Sequence, residues 1–229
     1  MKRVIIYLLI ALFIFAFASC EKKHTLELES KYNSDGYLTK ITNYYASGER
    51  SETIYDGTSQ QRALSGTDYN ESGNVTSTRV YEYNSDGYLT KATGYYASGV
   101  KKYEIIYDGT SKRWLSNTAY DESGNVTSKE ENEYNSDGYL TKATVYYASG
   151  AKWREITYDG TSQRIWLSET YYDESGNVTE EYEYNSYGYR TTYTEYYASG
   201  AKRKKIIYDG TSQQRILSTT LYDESGNVI

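Results

Sequence analysis

A unit of about 51 residues occurs four times in this chain, and this repetition restricts the possible fold more than any other feature. The segment that begins Tyr-Asn-Ser at Tyr32 recurs from Tyr83 and Tyr134, and in altered form from Tyr184, at intervals of 51, 51 and 50 residues. Periods of this length are typical of repeat architectures, in which each unit packs only against its neighbours. We therefore predict one elongated array.

Each unit contains four turn motifs, in which Gly closes a short polar stretch. In the second unit the tyrosines before these turns are Tyr83, Tyr96, Tyr107 and Tyr120, at steps of 13, 11 and 13 residues. This spacing fits strands of eight or nine residues joined by tight hairpin turns, where Gly supplies the positive φ. The prediction is an all-β fold of tandem β-hairpins, a long twisted antiparallel meander of about 16 strands that is either open or curled on itself.

The residues between the turns alternate in character. In 178–184 the valine and the two tyrosines fall on one face of a strand, and Thr179, Glu181 and Glu183 fall on the other. The equivalent segment 126–134 is longer by two residues, a change that keeps every side chain on its face. Adjacent tyrosines, such as Tyr95 and Tyr96, place one ring on each side of the sheet, so both faces are expected to carry aromatic surface.

Tyrosine supplies most of the apolar surface, with 31 of 229 residues. The sparse aliphatic content after residue 20 would otherwise suggest disorder. A tyrosine ring packs on a pleated surface while its hydroxyl stays in water, which suits a half-exposed sheet. The net charge of −6 and the lack of a basic stripe argue against a nucleic-acid partner.

Catalytic and metal-binding residues are sparse. The chain has one histidine, His24, and one cysteine, Cys20, which leaves no internal disulfide, no cysteine metal cluster and no usual general base. Most polar motifs occur four times, whereas an active site needs a unique constellation. Loops such as 121–125 offer oxygen ligands without the spacing of known calcium loops. We predict no enzymatic activity, no cofactor and no metal site.

The first twenty residues have the layout of an export signal. Two cationic residues precede the apolar run 4–17, and small residues then lead to Cys20. Residues 17–20 resemble the lipobox of bacterial lipoproteins, although Phe17 stands where that family usually has an aliphatic residue. The resemblance implies a signal peptide at 1–19, lipid attachment at Cys20, a short tether at 20–23 and the repeat array at 24–229. An uncleaved anchor, or an ordinary signal with a chance cysteine, is the alternative.

Two tandem β-hairpin families resemble the array. Residues 176–189, with Gly, then Tyr-x-Tyr-Asn, two residues and Gly, resemble the YD repeat of RHS-type proteins, and 121–140 match equally well. The stretch 146–152, Tyr-Tyr-Ala-Ser-Gly-Ala-Lys, is similar to variant MORN repeats. The resemblance implies a β-strip that serves as scaffold, shell or binding surface, and it implies no catalytic residue.

Three tryptophans interrupt the tyrosine pattern: Trp114, Trp153 and Trp166. Trp114 and Trp166 occupy equivalent places in their units, where the other two units have Ala63 and Ile216. These side chains either pack within the sheet or form an aromatic platform for glycan or peptide. They are the candidate binding surface.

The expected function is that of a cell-envelope lipoprotein, lipid-anchored in the outer membrane and surface-exposed, acting as a structural or protein-interaction scaffold. The alternative is a lipoprotein that binds glycans or small ligands. A further alternative, suggested only by the variant-MORN resemblance, is an antitoxin-like or immunity-like protein. The expected partners are the membrane, through the lipid anchor, and a protein or glycan. A last strand near 225–229 would also leave an open edge for self-association.

Overall fold

The computed structural model describes residues 25–229 as one sheet of 16 antiparallel strands. The strands are β1 (Thr25–Tyr32), β2 (Leu38–Tyr45), β3 (Arg50–Tyr55), β4 (Ala63–Tyr69), β5 (Val75–Tyr83), β6 (Leu89–Tyr96), β7 (Lys101–Tyr107), β8 (Trp114–Tyr120), β9 (Val126–Tyr134), β10 (Leu140–Tyr146), β11 (Lys152–Tyr158), β12 (Trp166–Tyr172), β13 (Val178–Tyr184), β14 (Arg190–Tyr196), β15 (Lys202–Tyr208) and β16 (Ile216–Leu221). The predicted all-β meander is confirmed.

The signal peptide at 1–19, Cys20 and the tether at 20–23 lie outside the described residues, so these assignments stay predictions. Nowhere in 25–229 is there a helix that could cross a bilayer. The strands are six to nine residues long, so some are shorter than the eight or nine residues predicted.

The strands lie in the sheet in the order of the sequence, with β1 and β16 at its edges. Of the two predicted forms, open or curled, the structure has the open one. Each repeat contributes four strands, such as β5 to β8, and every strand between the two edges pairs with the strands before and after it in sequence. The last strand is β16, and Val228 forms only an isolated bridge with Tyr222, so the strand predicted near 225–229 is wrong. Self-association through an edge strand stays a prediction.

The turns repeat one design, which the loop before β10 illustrates. The side-chain oxygen of Asn135 accepts a hydrogen bond from the backbone N–H of Tyr139 at 2.9 Å, and Gly138 has a φ of 85°. That φ belongs to the left-handed region, where a glycine has no Cβ to clash. The Asn135 side chain also donates to the carbonyl of Gly160 at 2.9 Å, which joins two neighbouring hairpin ends.

The same hydrogen bond between hairpin ends occurs in every unit. Asn33, Asn84 and Asn185 donate to the carbonyls of Gly57, Gly109 and Gly210, which are equivalent to Gly160. At the opposite end of the strands, the hydroxyls of Tyr96, Tyr147 and Tyr197 donate to the backbone carbonyls of residues 24 or 25 positions later. These side-chain bonds fix neighbouring hairpins against one another at both ends of the sheet.

The sheet is a single layer within the described residues, so its core consists of the side chains that cover its two surfaces. None of the described side chains is fully buried. The most buried apolar residues are small or aliphatic: Leu38, Ala92, Leu140, Ala143, Ile156 and Ile206. Long tyrosine and lysine side chains are suited to cover such residues, because they bury their apolar parts and keep their polar ends in water. This explains how a tyrosine-rich, aliphatic-poor sequence forms an ordered sheet.

One glycine makes room for an aromatic ring. Gly94 on β6 pairs with Tyr103 on β7, and a Cβ at Gly94 would lie 2.2 Å from Cε1 of that ring. Gly66 on β4 lies against the Arg79 side chain instead, where a Cβ would be 3.2 Å from Nε. At Gly66 a Cβ would require the arginine to shift by only a few tenths of an ångström, whereas at Gly94 the Tyr103 ring would have to move aside.

Gly94→Ala is expected to lower the free energy of unfolding by about 1–3 kcal/mol, because the Tyr103 ring must leave its place. Gly66→Ala is the matched control, and its effect should stay below about 1 kcal/mol because alanine also removes the entropic cost of a strand glycine. Urea unfolding of both variants measures the difference. Equal losses in the two variants would contradict this account of Gly94.

Candidate functional site: the two faces of the sheet

The register of the strands divides the side chains into two faces. Val145, Arg154 and Tyr171 lie opposite one another on β10, β11 and β12, so they share one face. Thr144 and Glu155 form the neighbouring cross-strand pair on the opposite face. Each residue of the sheet can be assigned to a face in this way.

One face repeats from unit to unit, and we call it the repeating face. Its threonines and serines are the same in all four units: Thr42, Thr93, Thr144 and Thr194 on the second strand of each unit, and Ser65, Ser116, Ser168 and Ser218 on the fourth. It also carries the ion pairs between lysine and glutamate, such as Lys142 with Glu155 at 3.2 Å. In the fourth unit both members of that pair change together, to Thr192 and Lys205.

The opposite face differs between units, and we call it the variable face. Its equivalent positions on the third strand of each unit hold Ser51, Tyr103, Arg154 and Lys204. Those on the fourth strand hold Gly66, Asn117, Glu169 and Thr219 at one place, and Asp68, Ala119, Tyr171 and Leu221 at the next. The strand pairing is thus kept while the chemistry of one face is free to change.

A buried ion pair lies at the centre of the third unit on the variable face. Glu169 on β12 is 5% exposed, and its carboxylate contacts the Arg154 guanidinium from β11. The hydroxyl of Tyr171 donates to one carboxylate oxygen at 2.7 Å, and the hydroxyl of Tyr184 donates to the other at 3.1 Å. A buried carboxylate needs such partners, because its desolvation is otherwise costly.

Five aromatic rings extend from this pair across the sheet, and we call them the aromatic ladder: Tyr147, Trp153, Tyr171, Tyr182 and Tyr193. The successive ring centroids are 6.3, 6.0, 6.1 and 5.0 Å apart. Neighbouring rings are tilted or edge-on, the arrangement that ring quadrupoles favour. The ladder begins at Tyr147, the residue that follows β10, and continues over β11, β12, β13 and β14 as one aromatic strip.

Arginines flank the ladder at two places. The Arg154 guanidinium carbon lies 5.2 Å from the ring centroid of Trp166 and 5.4 Å from that of Tyr171. The Arg190 guanidinium carbon lies 4.7 Å from the ring centroid of Tyr182. Cations at these distances are attracted to ring faces, so the aromatic strip is interleaved with fixed polar groups.

Several buried polar atoms on this face have no hydrogen-bond partner among the described residues: Nε of Arg79, Arg154 and Arg190, and Oδ1 of Asn117 and Asn132. The registers place all five side chains on or beside the variable face. Buried polar atoms are normally paired, and each exception calls for a reason. Glu130 belongs to the same surface, and burial raises the pKa of its carboxyl group, although Arg154 partly opposes the shift.

The predicted tryptophan surface is only partly assembled. Trp153 is a member of the aromatic ladder, and Trp166 lies beside it, edge-on to Tyr184 at 5.9 Å. Trp114 is on β8, which β9 and β10 separate from β11. The three tryptophans therefore do not form one platform.

Arg154, Glu169 and Tyr182 are the residues that the sequence reasoning missed. Arginine, glutamate and tyrosine are common in this chain, whereas tryptophan is rare, so these three residues do not stand out by type. Each also lies in a unit whose other motifs match those of its neighbours. A position-by-position comparison of the four units, restricted to alternate residues, would have found them, since the changes concentrate at every second residue of a strand.

The acidic turn loops use their carboxylates internally. The side chain and backbone N–H of Asn125 donate to the Asp121 carboxylate, and these bonds lower the pKa of Asp121. Asp173 and Asp223 are held in the same way by Asn177 and Asn227. Within 25–229, no three His, Cys, Asp or Glu side chains are grouped so that they could hold a metal ion.

Half-buried tyrosines make the sheet sensitive to alkaline pH. Burial, with the charge of Glu169, raises the pKa of Tyr184 to about 12, and burial, with the charge of Glu180, raises that of Tyr193 to about 12. In the unfolded chain a tyrosine ionises near pH 10. The folded form therefore retains these protons longer, and the associated stability is complete below about pH 10 and is lost as the pH rises towards about 12.

We expect the free energy of unfolding to fall steadily between about pH 10 and 12, as denaturant melts at fixed pH would measure. Tyr184→Phe should reduce the slope, because it removes one of the titrating hydroxyls. A free energy of unfolding that is constant over this interval would contradict the assignment.

The fold and this surface define a tandem β-hairpin repeat protein, a one-layer sheet with one repeating and one variable face. No protein-family model matches the chain, and no curated protein matches it.

Two solved structures give a partial likeness. The crystal structure of TcdB2-TccC3-Cdc42 is 9% identical, with a TM-score of 0.19 over 86% of this chain and 15% of that chain. A porin-like protein from Bacteroides uniformis is 14% identical, with a TM-score of 0.28 over 87% of this chain and 85% of that chain. This chain thus spans about 15% of the first structure's length. At these TM-scores neither likeness bears on function.

Proposed function

We propose that the chain is a cell-envelope lipoprotein whose array is an extended interaction scaffold. The observation that carries the proposal is the difference between the two faces in how much their residues vary from unit to unit. The repeating face keeps the same serines and threonines in every unit, whereas the variable face changes at the positions of Arg154, Glu169 and Tyr171. A purely structural spacer has no need to concentrate variation on one face, but a recognition surface does.

The anchor in this proposal rests on the N-terminal segment, with Cys20 as the lipid-bearing residue and the array displayed on the outer membrane. An extended sheet held at one end presents a large area, which suits a partner of considerable length. The hairpin β13–β14 supports the YD-type assignment within the proposal, because its Gly176 and Asn185 both lie at turns. The array itself is proposed to recognise a partner and to catalyse no reaction.

Recovery of partners from intact cells by the full chain tests the proposal when two matched double variants are compared. Glu195→Ala with Lys204→Ala removes two oppositely charged residues that lie opposite each other on the variable face. Lys142→Ala with Glu133→Ala removes two oppositely charged residues from the repeating face, where the charges are 3.3 Å apart. Each change should cost at most about 1 kcal/mol of stability.

We expect the variable-face variant to lose captured partners and the repeating-face variant to retain them. Equal recovery by the two variants and the parent chain would reject the proposal. Protease shaving of whole cells tests the location, since a surface-exposed array should be digested while the cells stay intact.

A further inference from the structure

We propose that the variable face between β9 and β14 binds a neutral oligosaccharide along the aromatic ladder. The inference rests on the proposed scaffold function and gives its recognition surface a ligand class. Its starting point is the coincidence, on one stretch of sheet, of five contacting rings and three buried polar atoms that lack partners.

The unpartnered atoms are of both hydrogen-bonding kinds. Nε of Arg154 and of Arg190 are donors, and Oδ1 of Asn132 is an acceptor. Asn132 is 8% exposed and lies on the variable face, in the cross-strand row that continues through Ala143 and Ile156 to Glu169. A hydroxyl group can both donate and accept, so a polyhydroxylated ligand offers a partner of the right kind to each of these atoms. Because the atoms are buried, the side chains that cover them must shift as the ligand binds.

The charges of the site favour a neutral ligand. The guanidinium of Arg154 is already compensated by Glu169, so an anionic ligand would have to compete with that carboxylate. A cationic ligand would find arginines beside the rings of Tyr171 and Tyr182, where it would otherwise bind. An uncharged ligand meets neither obstacle.

The rings supply the apolar contact that a saccharide needs. Sugar rings present C–H groups on their faces, and these pack on aromatic side chains in sites that combine rings with a few fixed polar groups. Trp153 is 39% exposed, so part of its surface is open to such a ligand. Across β9 to β14, with strands about 4.8 Å apart, the site spans about 24 Å, which fits an oligosaccharide better than a single sugar.

A peptide fits this surface less well. The backbone groups of β9 to β14 are engaged in the sheet ladder, so a peptide laid across the face would find no main-chain partners there. Peptide recognition by sheets generally uses a free strand edge. Recognition on the face must come from side chains, and the available side-chain atoms match hydroxyls.

The test uses the full chain, extracted in mild detergent, on immobilised neutral oligosaccharides, sulfated or sialylated oligosaccharides, and synthetic peptides. We expect retention on neutral oligosaccharides, and Trp153→Ala should weaken it by about tenfold or more. Trp114→Ala, outside the ladder, is the matched control and should bind as the parent does. Retention only on acidic saccharides or peptides, or equal losses in the two tryptophan variants, would overturn the inference.

Asn132→Leu separates binding from folding. It removes a buried amide whose oxygen is unpaired but whose side chain also hydrogen-bonds Tyr134. The melting temperature should therefore fall by no more than about 4 °C, while saccharide retention should fall strongly. Unchanged retention by a folded Asn132→Leu chain would overturn the role of this residue in the site. If the variable face captures a cell partner while no saccharide is retained, the saccharide inference fails and the scaffold proposal stands. If substitutions on the variable face change neither partner capture nor saccharide retention, the saccharide inference and the scaffold proposal both fail.

Discussion

Deleting Glu131 alone is expected to destabilise the chain more than deleting Glu130 and Glu131 together. A single deletion within β9 forces one half of the strand to turn its side chains to the opposite face. Either the half paired with β8 or the half holding buried Asn132 must then be misplaced. We expect the single deletion to lower the free energy of unfolding by about 4 kcal/mol or more, at the upper end of single-site effects.

The double deletion shortens β9 from nine residues to seven, the length that β13 already has. Every remaining side chain keeps its face. The expected loss is about 1–2 kcal/mol, because the hydrogen bond from the Tyr146 hydroxyl to Glu131 and the ion pair of Lys129 with Glu131 disappear.

Guanidinium unfolding curves of the parent and the two deletion variants measure the difference directly. If the single deletion proves the milder change, side chains in β9 do not alternate strictly between the two faces. The assignment of residues to the repeating and variable faces would then fail.

Glu169→Ala is expected to be the most damaging side-chain substitution on the variable face. It leaves the Arg154 guanidinium without its carboxylate and removes the acceptor for the hydroxyls of Tyr171 and Tyr184. Loss of one member of a buried pair costs about 3 kcal/mol or more, and partial exposure of the arginine keeps the value at the lower end. Thermal and urea unfolding measure the loss.

Glu133→Ala is the matched control, because this glutamate pairs with Lys142 at 3.3 Å but its side chain is 65% exposed. Its loss should change stability by less than about 1 kcal/mol. The double variant Arg154→Met with Glu169→Leu removes both buried charges, and it should recover part of the stability lost in Glu169→Ala. A double variant less stable than Glu169→Ala would contradict the view that the uncompensated guanidinium causes the loss.

The hairpin order was predictable because the repeat, the turn residues and the alternation all indicate the same structure. The differences in length between units also fit the alternation of side chains. β9 and β13 differ by two residues, which keeps every side chain on its face. The one-residue difference at 111–113 falls in the loop after β7, so the side chains of β8 keep their faces. Whether the sheet is open or curled depends on twist accumulated over many strands, which no local pattern specifies.

The candidate site was less predictable than the fold. Trp114, Trp153 and Trp166 were singled out because tryptophan is rare in this chain. How rare a residue type is does not show which residues lie beside it on neighbouring strands, and Trp114 lies away from the ladder. Glu169 became visible only through the register that places it beside Arg154 and Tyr182. In a repeat protein the informative residues are those that break the repeat on one face, and finding them requires the pairing.

The most direct test of recognition by the variable face is photo-cross-linking of the full chain in living cells from two adjacent positions. Tyr182 lies on the variable face of β13, and Glu183 lies on the repeating face. A photoreactive phenylalanine derivative at position 182 should yield a defined cross-linked partner, and the same group at position 183 should yield none. Equal cross-linking from both positions, or cross-linking from position 183 alone, would contradict the proposed division of the sheet into a structural face and a recognition face.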